Sequence, residues 1–249
     1  MAATDKTTDK LSFVLPVALR ERLKGTWRHT PNVAATIRTR LALASFVKQF
    51  DEQDLREFWI VCPGADQEAV AGLLESVTRD PRYRVVDERE LCPEILQATA
   101  SQMRPGWIAQ QLIKLAIAKS FSSSHYVTLD SDIVCVKPFS HRSLIQGERA
   151  LTNVEKPADF QRIYTPQVCQ NELNVKEERR RAAAEILGYR RPAALSHYYG
   201  ETPVVLHRQS VIALTEHLSA RFQGSWIEGL ASRKSWTEYN LYFQFLEMT

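Results

Sequence analysis

The stretch His125-Tyr126-Val127-Thr128-Leu129-Asp130-Ser131-Asp132-Ile133-Val134-Cys135-Val136 carries an apolar strand pattern into an Asp-x-Asp and out again into apolar residues. Two carboxylates one residue apart, at the end of a buried strand, are costly unless something binds them, because an unpaired ionised carboxylate is strongly disfavoured at low dielectric. In extended backbone, residues two apart point to the same side. Asp130 and Asp132 are therefore expected to face one divalent cation, with diphosphate oxygens and water completing an octahedron around Mg²⁺ or Mn²⁺. The plainer alternative is a turn in which one Asp caps a following backbone N–H.

Working outward, strand patterns at 11–17, 57–62, 83–86 and 125–129 alternate with helical patterns at 33–50, 67–77 and 107–121. That alternation predicts βαβ units, a mostly parallel sheet and an α/β fold. In such sheets ligands bind outside the carboxyl ends of the strands, which is where the Asp doublet falls. Beyond residue 150 the pattern loosens. Residues 150–195 read as an insertion or lid, irregular over 152–174, with a charged helix at 175–187 stopped by Gly188. A strand at 202–207 and a helix at 210–221 follow. Ser225 with Glu228, and Ser235 with Glu238, have the spacing of capping boxes. Residues 1–10 are polar and expected to form a disordered tail, leaving 11–249 as a single domain.

Composition narrows the function. A net charge of +3, with no Lys/Arg block interleaved with aromatics, argues against a nucleic-acid partner. Cys62, Cys92, Cys135 and Cys169 form no Cys-x-x-Cys and read as reduced thiols of an intracellular protein. The start of the chain lacks the apolar core of a signal peptide. No apolar run approaches the roughly 20 residues needed to span a bilayer. A cytoplasmic location is expected. Peripheral attachment to the inner face of a membrane stays open, since an enzyme acting on a lipid-linked acceptor needs no span.

Three further groups of side chains carry chemistry. Trp107, Gln110, Gln111 and Lys114 stand at i, i+3, i+4 and i+7 of an otherwise apolar helix, and so form one stripe. On a buried helix such a stripe must meet a partner or line a cavity, and a lysine suits phosphate oxygens. On an amphipathic helix it would only be the solvated face. In Ser235-Trp236-Thr237-Glu238-Tyr239-Asn240, Glu238 could act as a base or hold sugar hydroxyls. Trp236, Tyr239 and Asn240 could receive a sugar or an acceptor. Alternatively Glu238 only closes its capping box and the aromatics pack. The loop with His197, Gly200 and Glu201 is a third, less specific candidate.

Together these residues resemble nucleotide-sugar glycosyltransferases of the GT-A fold. More narrowly, they resemble a poorly characterised bacterial family with W-x-x-Q-Q-x-x-K, L-D-x-D and T-E-Y-x-L-Y motifs. The resemblance implies a Rossmann-like, mixed but mostly parallel sheet flanked by helices. It implies a nucleotide-sugar donor, a Mn²⁺ or Mg²⁺ ion on Asp130 and Asp132, and a donor site lined by Lys114, Gln111 and Gln110. Glu238 would be the catalytic acidic residue; Trp236, Tyr239, Asn240, His197 and Glu201 would bind the sugar or acceptor. The acceptor could be a saccharide, lipid-linked or a protein. Relatives often add a C-terminal His ligand; none follows Glu238. Two alternatives remain: a haloacid-dehalogenase-type phosphatase with Asp130 as nucleophile, and a catalytically inactive binding module.

Overall fold

The computed structural model describes residues 10–20, 22–23, 26–27, 31–189 and 197–249. The expected tail falls almost wholly outside them, as does the 190–195 part of the expected insertion. Five strands build the central sheet: β1 (Leu11–Pro16), β2 (Leu55–Cys62), β3 (Tyr83–Asp87), β4 (His125–Thr128) and β5 (Val204–His207). Their order is β5-β4-β1-β2-β3. β1 pairs in parallel with β2 and β4, and β2 with β3, while β5 runs antiparallel to β4. The sheet is thus mixed but mostly parallel, as expected.

Apolar residues face both sides of it, and that burial decides the layers. Phe13, Leu15, Phe58, Ile60 and Val127 pack on one face beneath α1 (Val33–Gln49) and α2 (Gln67–Glu75). Phe13, Phe46, Phe50 and Phe58 meet there with ring centroids 4.7–5.9 Å apart. Val14, Val61, Tyr126, Val204 and Leu206 pack on the other face. That face is covered by α3 (Pro105–Ala116), α4 (Pro166–Leu187), α5 (Arg208–Phe222), α6 (Trp226–Ala231) and α7 (Glu238–Met248). Strands buried on both faces read as continuous apolar runs rather than alternating ones, which is why they were legible.

Residues 152–174 are not irregular. They hold a helix at Pro157–Ile163 and the first half of α4. Pro157 and Pro166 open these helices at positions where a missing N–H costs nothing. The first half of α4 has no apolar stripe because most of it is exposed. It is supported instead by i,i+4 side-chain bonds, Gln167 to Asn171 (3.2 Å) and Gln170 to Asn174 (2.8 Å). The four cysteines are free; Cys62, Cys92 and Cys169 are buried and Cys135 partly so. Among the described residues no helix is long and apolar enough to cross a membrane.

Candidate functional site

β1 lies between β2 and β4, and the chain first builds out on one side and then crosses to the other. That reversal is the topological switch point, where α/β sheets open a crevice. Val14 pairs with Thr128, and the Leu129 N–H donates to the Val14 carbonyl at 2.9 Å. Pro16 and Asp130, two residues further along each strand, therefore leave the sheet side by side. A small cleft of about 40 Å³ opens at Pro16, lined also by Val17, Pro63, Glu88 and Gln110.

The Asp doublet sits in a turn just past β4, not on a strand continuation. The Ile133 N–H donates to the Asp130 carbonyl at 3.3 Å. The extended-backbone argument for both carboxylates facing one way therefore does not hold. Asp130 turns inward and is partly buried, whereas Asp132 is exposed.

What Asp130 meets is Lys114, reaching up from α3. Its ammonium lies 2.7 Å from Asp130 Oδ1 and 2.8 Å from Glu238 Oε1, and donates to the Tyr239 hydroxyl at 3.1 Å. The Asp130 contact is an ion pair whose alignment falls short of a hydrogen bond, so Oδ1 is a buried oxygen compensated by charge alone. Lys114 is 2% exposed. Burial works against its charge, but the carboxylate of Glu238, then Tyr239 and the carboxylate of Asp130, outweigh it and hold the lysine well above its ordinary value. The network continues from the Tyr239 hydroxyl to Thr128 Oγ1 at 2.9 Å, and from there to the Val204 carbonyl at 3.2 Å. Burial, with Glu238 next, pushes the Tyr239 phenol up, so it stays a neutral hydroxyl. Tyr126 anchors the backbone beneath, donating to the Lys114 carbonyl at 2.7 Å.

Several expected roles change. Lys114 donates to Glu238 and Tyr239 and is ion-paired with Asp130, so its charge is engaged within the protein. Gln111 is 2% exposed; its amide donates to the Trp107 carbonyl at 3.2 Å, and its Oε1 is buried without a hydrogen-bond partner. It does not line an open donor site, whereas Gln110 does line the cleft. Trp236 is fully buried and donates to the Leu230 carbonyl at 3.0 Å, so it offers no face to a sugar. Tyr239 is buried too. Asn240 spends its backbone and side-chain donors on Thr237 Oγ1 (3.2 and 2.8 Å). Thr237 is thus the N-cap of α7, and the expected Ser235–Glu238 box does not form: Ser235 donates to Glu178 at 2.6 Å. That frees Glu238 from capping and lets it face Lys114. Buried against an ammonium, Glu238 is badly placed as a base for an acceptor hydroxyl. His197 packs edge-on against Tyr199, with centroids 5.3 Å apart. Glu201 is exposed and pairs with Arg179 at 2.5 Å. Neither belongs to the Lys114 network.

Thr128 as a member of the network, and Thr237 as the cap of α7, are the roles that sequence reasoning missed. A threonine on an otherwise apolar strand, two residues before an Asp doublet, and a Thr-x-x-Asn before an apolar helix were the available signals.

Among the described residues no group of three or more His, Cys, Asp and Glu could hold a metal ion. An ion shared with substrate phosphates needs only one or two carboxylates. Asp130 and Asp132 supply hard oxygen donors of that kind; Asp130 Oδ1 already faces the Lys114 ammonium at 2.7 Å, which leaves its other oxygen to an ion.

No curated protein matches the sequence. Among solved structures, the chain is similar to mouse xyloside xylosyltransferase 1 in its apo form. The TM-score is 0.50 at 12% identity, covering 96% of this chain and 82% of that one. A more distant likeness, with a TM-score of 0.38 at 19% identity, is to Mycobacterium tuberculosis glucosyl-3-phosphoglycerate synthase bound to Mn²⁺, uridine diphosphate and glucosyl-3-phosphoglycerate. It covers 82% of this chain and 59% of that one. The architecture is GT-A-like: a mixed, mostly parallel sheet flanked by helices. Over residues 8–249 the sequence matches a family model, and the chain belongs to the Family of unknown function DUF6492.

Proposed function

We propose that the protein is a glycosyltransferase that moves a sugar from a nucleotide-sugar donor to an acceptor hydroxyl, with a divalent cation, Mn²⁺ or Mg²⁺, as cofactor. The observation that carries this reading is the Asp130–Asp132 turn at the switch point of a GT-A-like sheet, with Asp130 held from behind by a buried lysine. Asp130 and Asp132 would hold the ion. When bound, it would supply Lewis-acid stabilisation of the charge developing on the leaving diphosphate.

The chain's own residues do the positioning. Lys114, anchored to Glu238 and Tyr239, fixes Asp130 at the lip of the crevice. Taken together, Asp130, Asp132 and Glu238 carry three negative charges against the single charge of Lys114. The surplus of two suits a divalent cation. Gln110, which lines the cleft at Pro16, would meet polar groups of a bound donor. Glu238 acts in this reading through Lys114 rather than as the base.

Asp132 is exposed, so its loss should leave the fold intact. Asp132→Ala is expected to abolish Mn²⁺-dependent binding of nucleoside diphosphates in calorimetry, with an unchanged melting temperature. Unaltered affinity in that variant would remove the cation site. A screen of nucleotide sugars for donor hydrolysis tests the activity and names the donor together. Turnover of a generic phosphate ester without donor hydrolysis would favour the phosphatase. Nucleotide binding with neither activity would favour the inactive module.

A further inference from the structure

α1 turns apolar side chains toward water. Val33, Ile37 and Leu41 are 72%, 54% and 53% exposed. At i, i+4 and i+8 they form one ridge, about 12 Å long at the helical rise. The same helix buries its other face through Ala35, Thr39, Leu43 and Phe46, so the ridge is not a misplaced core face. The charged residues of α1 are Arg38, Arg40 and Lys48, all exposed, and it holds no Asp or Glu.

The segment leaving the Asp doublet extends this surface. The Cys135 N–H donates to Ser45 Oγ at 3.0 Å, which fixes the segment against α1. On either side of Cys135, Val134 and Val136 are exposed, and Lys137 follows them. Arg38, Arg40, Lys48 and Lys137 are the exposed cations of this surface, on a chain that nets only +3. The acidic residues Asp51, Glu52 and Asp54 lie past the end of α1, where Asp54 accepts from the His141 N–H at 2.8 Å.

An apolar ridge rimmed by cations is complementary to anionic lipid: the ridge enters the acyl boundary while the cations meet head-group phosphates. A second copy of the chain fits less well, since a two-fold contact would set like cations against one another. We propose that α1 and the 133–137 segment form a peripheral docking face for an anionic bilayer. The face leads directly into the Asp130–Asp132 turn, so docking would hold the crevice near the head groups. The inference does not depend on the transfer chemistry.

The test is flotation of the full chain with vesicles of mixed phosphatidylglycerol and phosphatidylcholine, against phosphatidylcholine alone. Binding is expected to the anionic vesicles only, and to weaken in about 0.5 M NaCl. The double variant Ile37→Glu/Leu41→Glu should lose at least about tenfold in partitioning. Arg38→Gln and Arg40→Gln should each lose about fivefold. All four positions are exposed, so circular dichroism melting and Mn²⁺-dependent nucleotide binding should match wild type and certify the fold. Wild-type protein that ignores anionic vesicles, or that binds neutral ones equally, would overturn the proposal. So would undiminished binding by the double variant. A wild-type dimer that the double variant turns into a monomer would assign the ridge to a second copy and overturn it too.

Discussion

Two lysines in this molecule each stand between two carboxylates. Lys114 lies 2.7 Å from Asp130 and 2.8 Å from Glu238, with both Lys114 and Glu238 almost fully buried. Lys176 lies 2.7 Å from Glu155 and 3.9 Å from Glu201, whose side chain is 56% exposed and also pairs with Arg179. The charges are alike and the surroundings are not. Around Glu201, water and Arg179 can replace a lost ammonium. Around Glu238 nothing can, because α3, α7 and β4 close over it. The Lys176 group ties α4 to the short ribbon formed by Val154–Glu155 and Tyr198–Tyr199, while the Lys114 group joins three elements at a crevice. Both lysines are buried; what separates the two groups is the burial of the second carboxylate, complete at Glu238 and absent at Glu201.

The sharpest way to break this contrast is Lys114→Met. It leaves Glu238 buried without a cation and should cost about 3–5 kcal/mol in urea denaturation. A loss below about 1 kcal/mol would mean that solvent reaches the junction after all.

Glu238→Gln is milder, since shape is kept and the ammonium retains Asp130. A stability cost of about 1–3 kcal/mol is expected. With Glu238 neutral, Lys114 compensates Asp130 more fully. Mn²⁺-dependent nucleotide affinity should therefore fall about tenfold or more in calorimetry, as when a residue supporting a metal ligand is changed. If binding is untouched, Asp130 does not depend on the junction.

Lys176→Met should cost about 1–2 kcal/mol, less than Lys114→Met, because Glu201 keeps Arg179 and only the partly exposed Glu155 loses its close cation. A cost equal to that of Lys114→Met would erase the distinction between the two lysines.

The smallest effect is in pH. Lys114 is held above its ordinary value of 10.5, so the folded state binds its proton more tightly than the unfolded chain. The stabilisation is fully present below about pH 10.5 and is lost as pH rises through the folded value. Urea midpoints should show no pH dependence from this lysine near neutrality, where its contribution is fully present. A decline above about pH 10.5 should be weaker in Lys114→Met than in wild type.

The two lysine groups also differ in how well the sequence announced them. The core strands and α3 were legible because apolar runs and a helical stripe are local signals, and Asp130, Lys114 and Glu238 were picked out as chemistry-bearing residues. That they meet was not legible, because contacts 16 to 124 residues apart in sequence depend on how the sheet is ordered. The stripe on α3 suggested a lysine offered to phosphate; the turn after β4 and the docking of α7 instead supply it with protein partners. Capping was misread by two residues, since Ser235 and Thr237 both precede suitable side chains and only tertiary contacts choose between them. The polar half of α4 was missed because a solvated helix carries no apolar period to detect.

The junction around Lys114 also bears on the order in which the molecule becomes competent. During synthesis, residues 114 and 130 emerge long before residue 238, so an unfinished chain can hold the Asp doublet and the lysine but lacks the second carboxylate and the Tyr239 hydroxyl. Until α7 packs, Lys114 and Asp130 lie against an open core and their geometry is unset. A nascent or partly folded molecule would then have the doublet without the scaffold that aims it. On the function proposed above, such a molecule would hold a cation and donor poorly until its packing is complete.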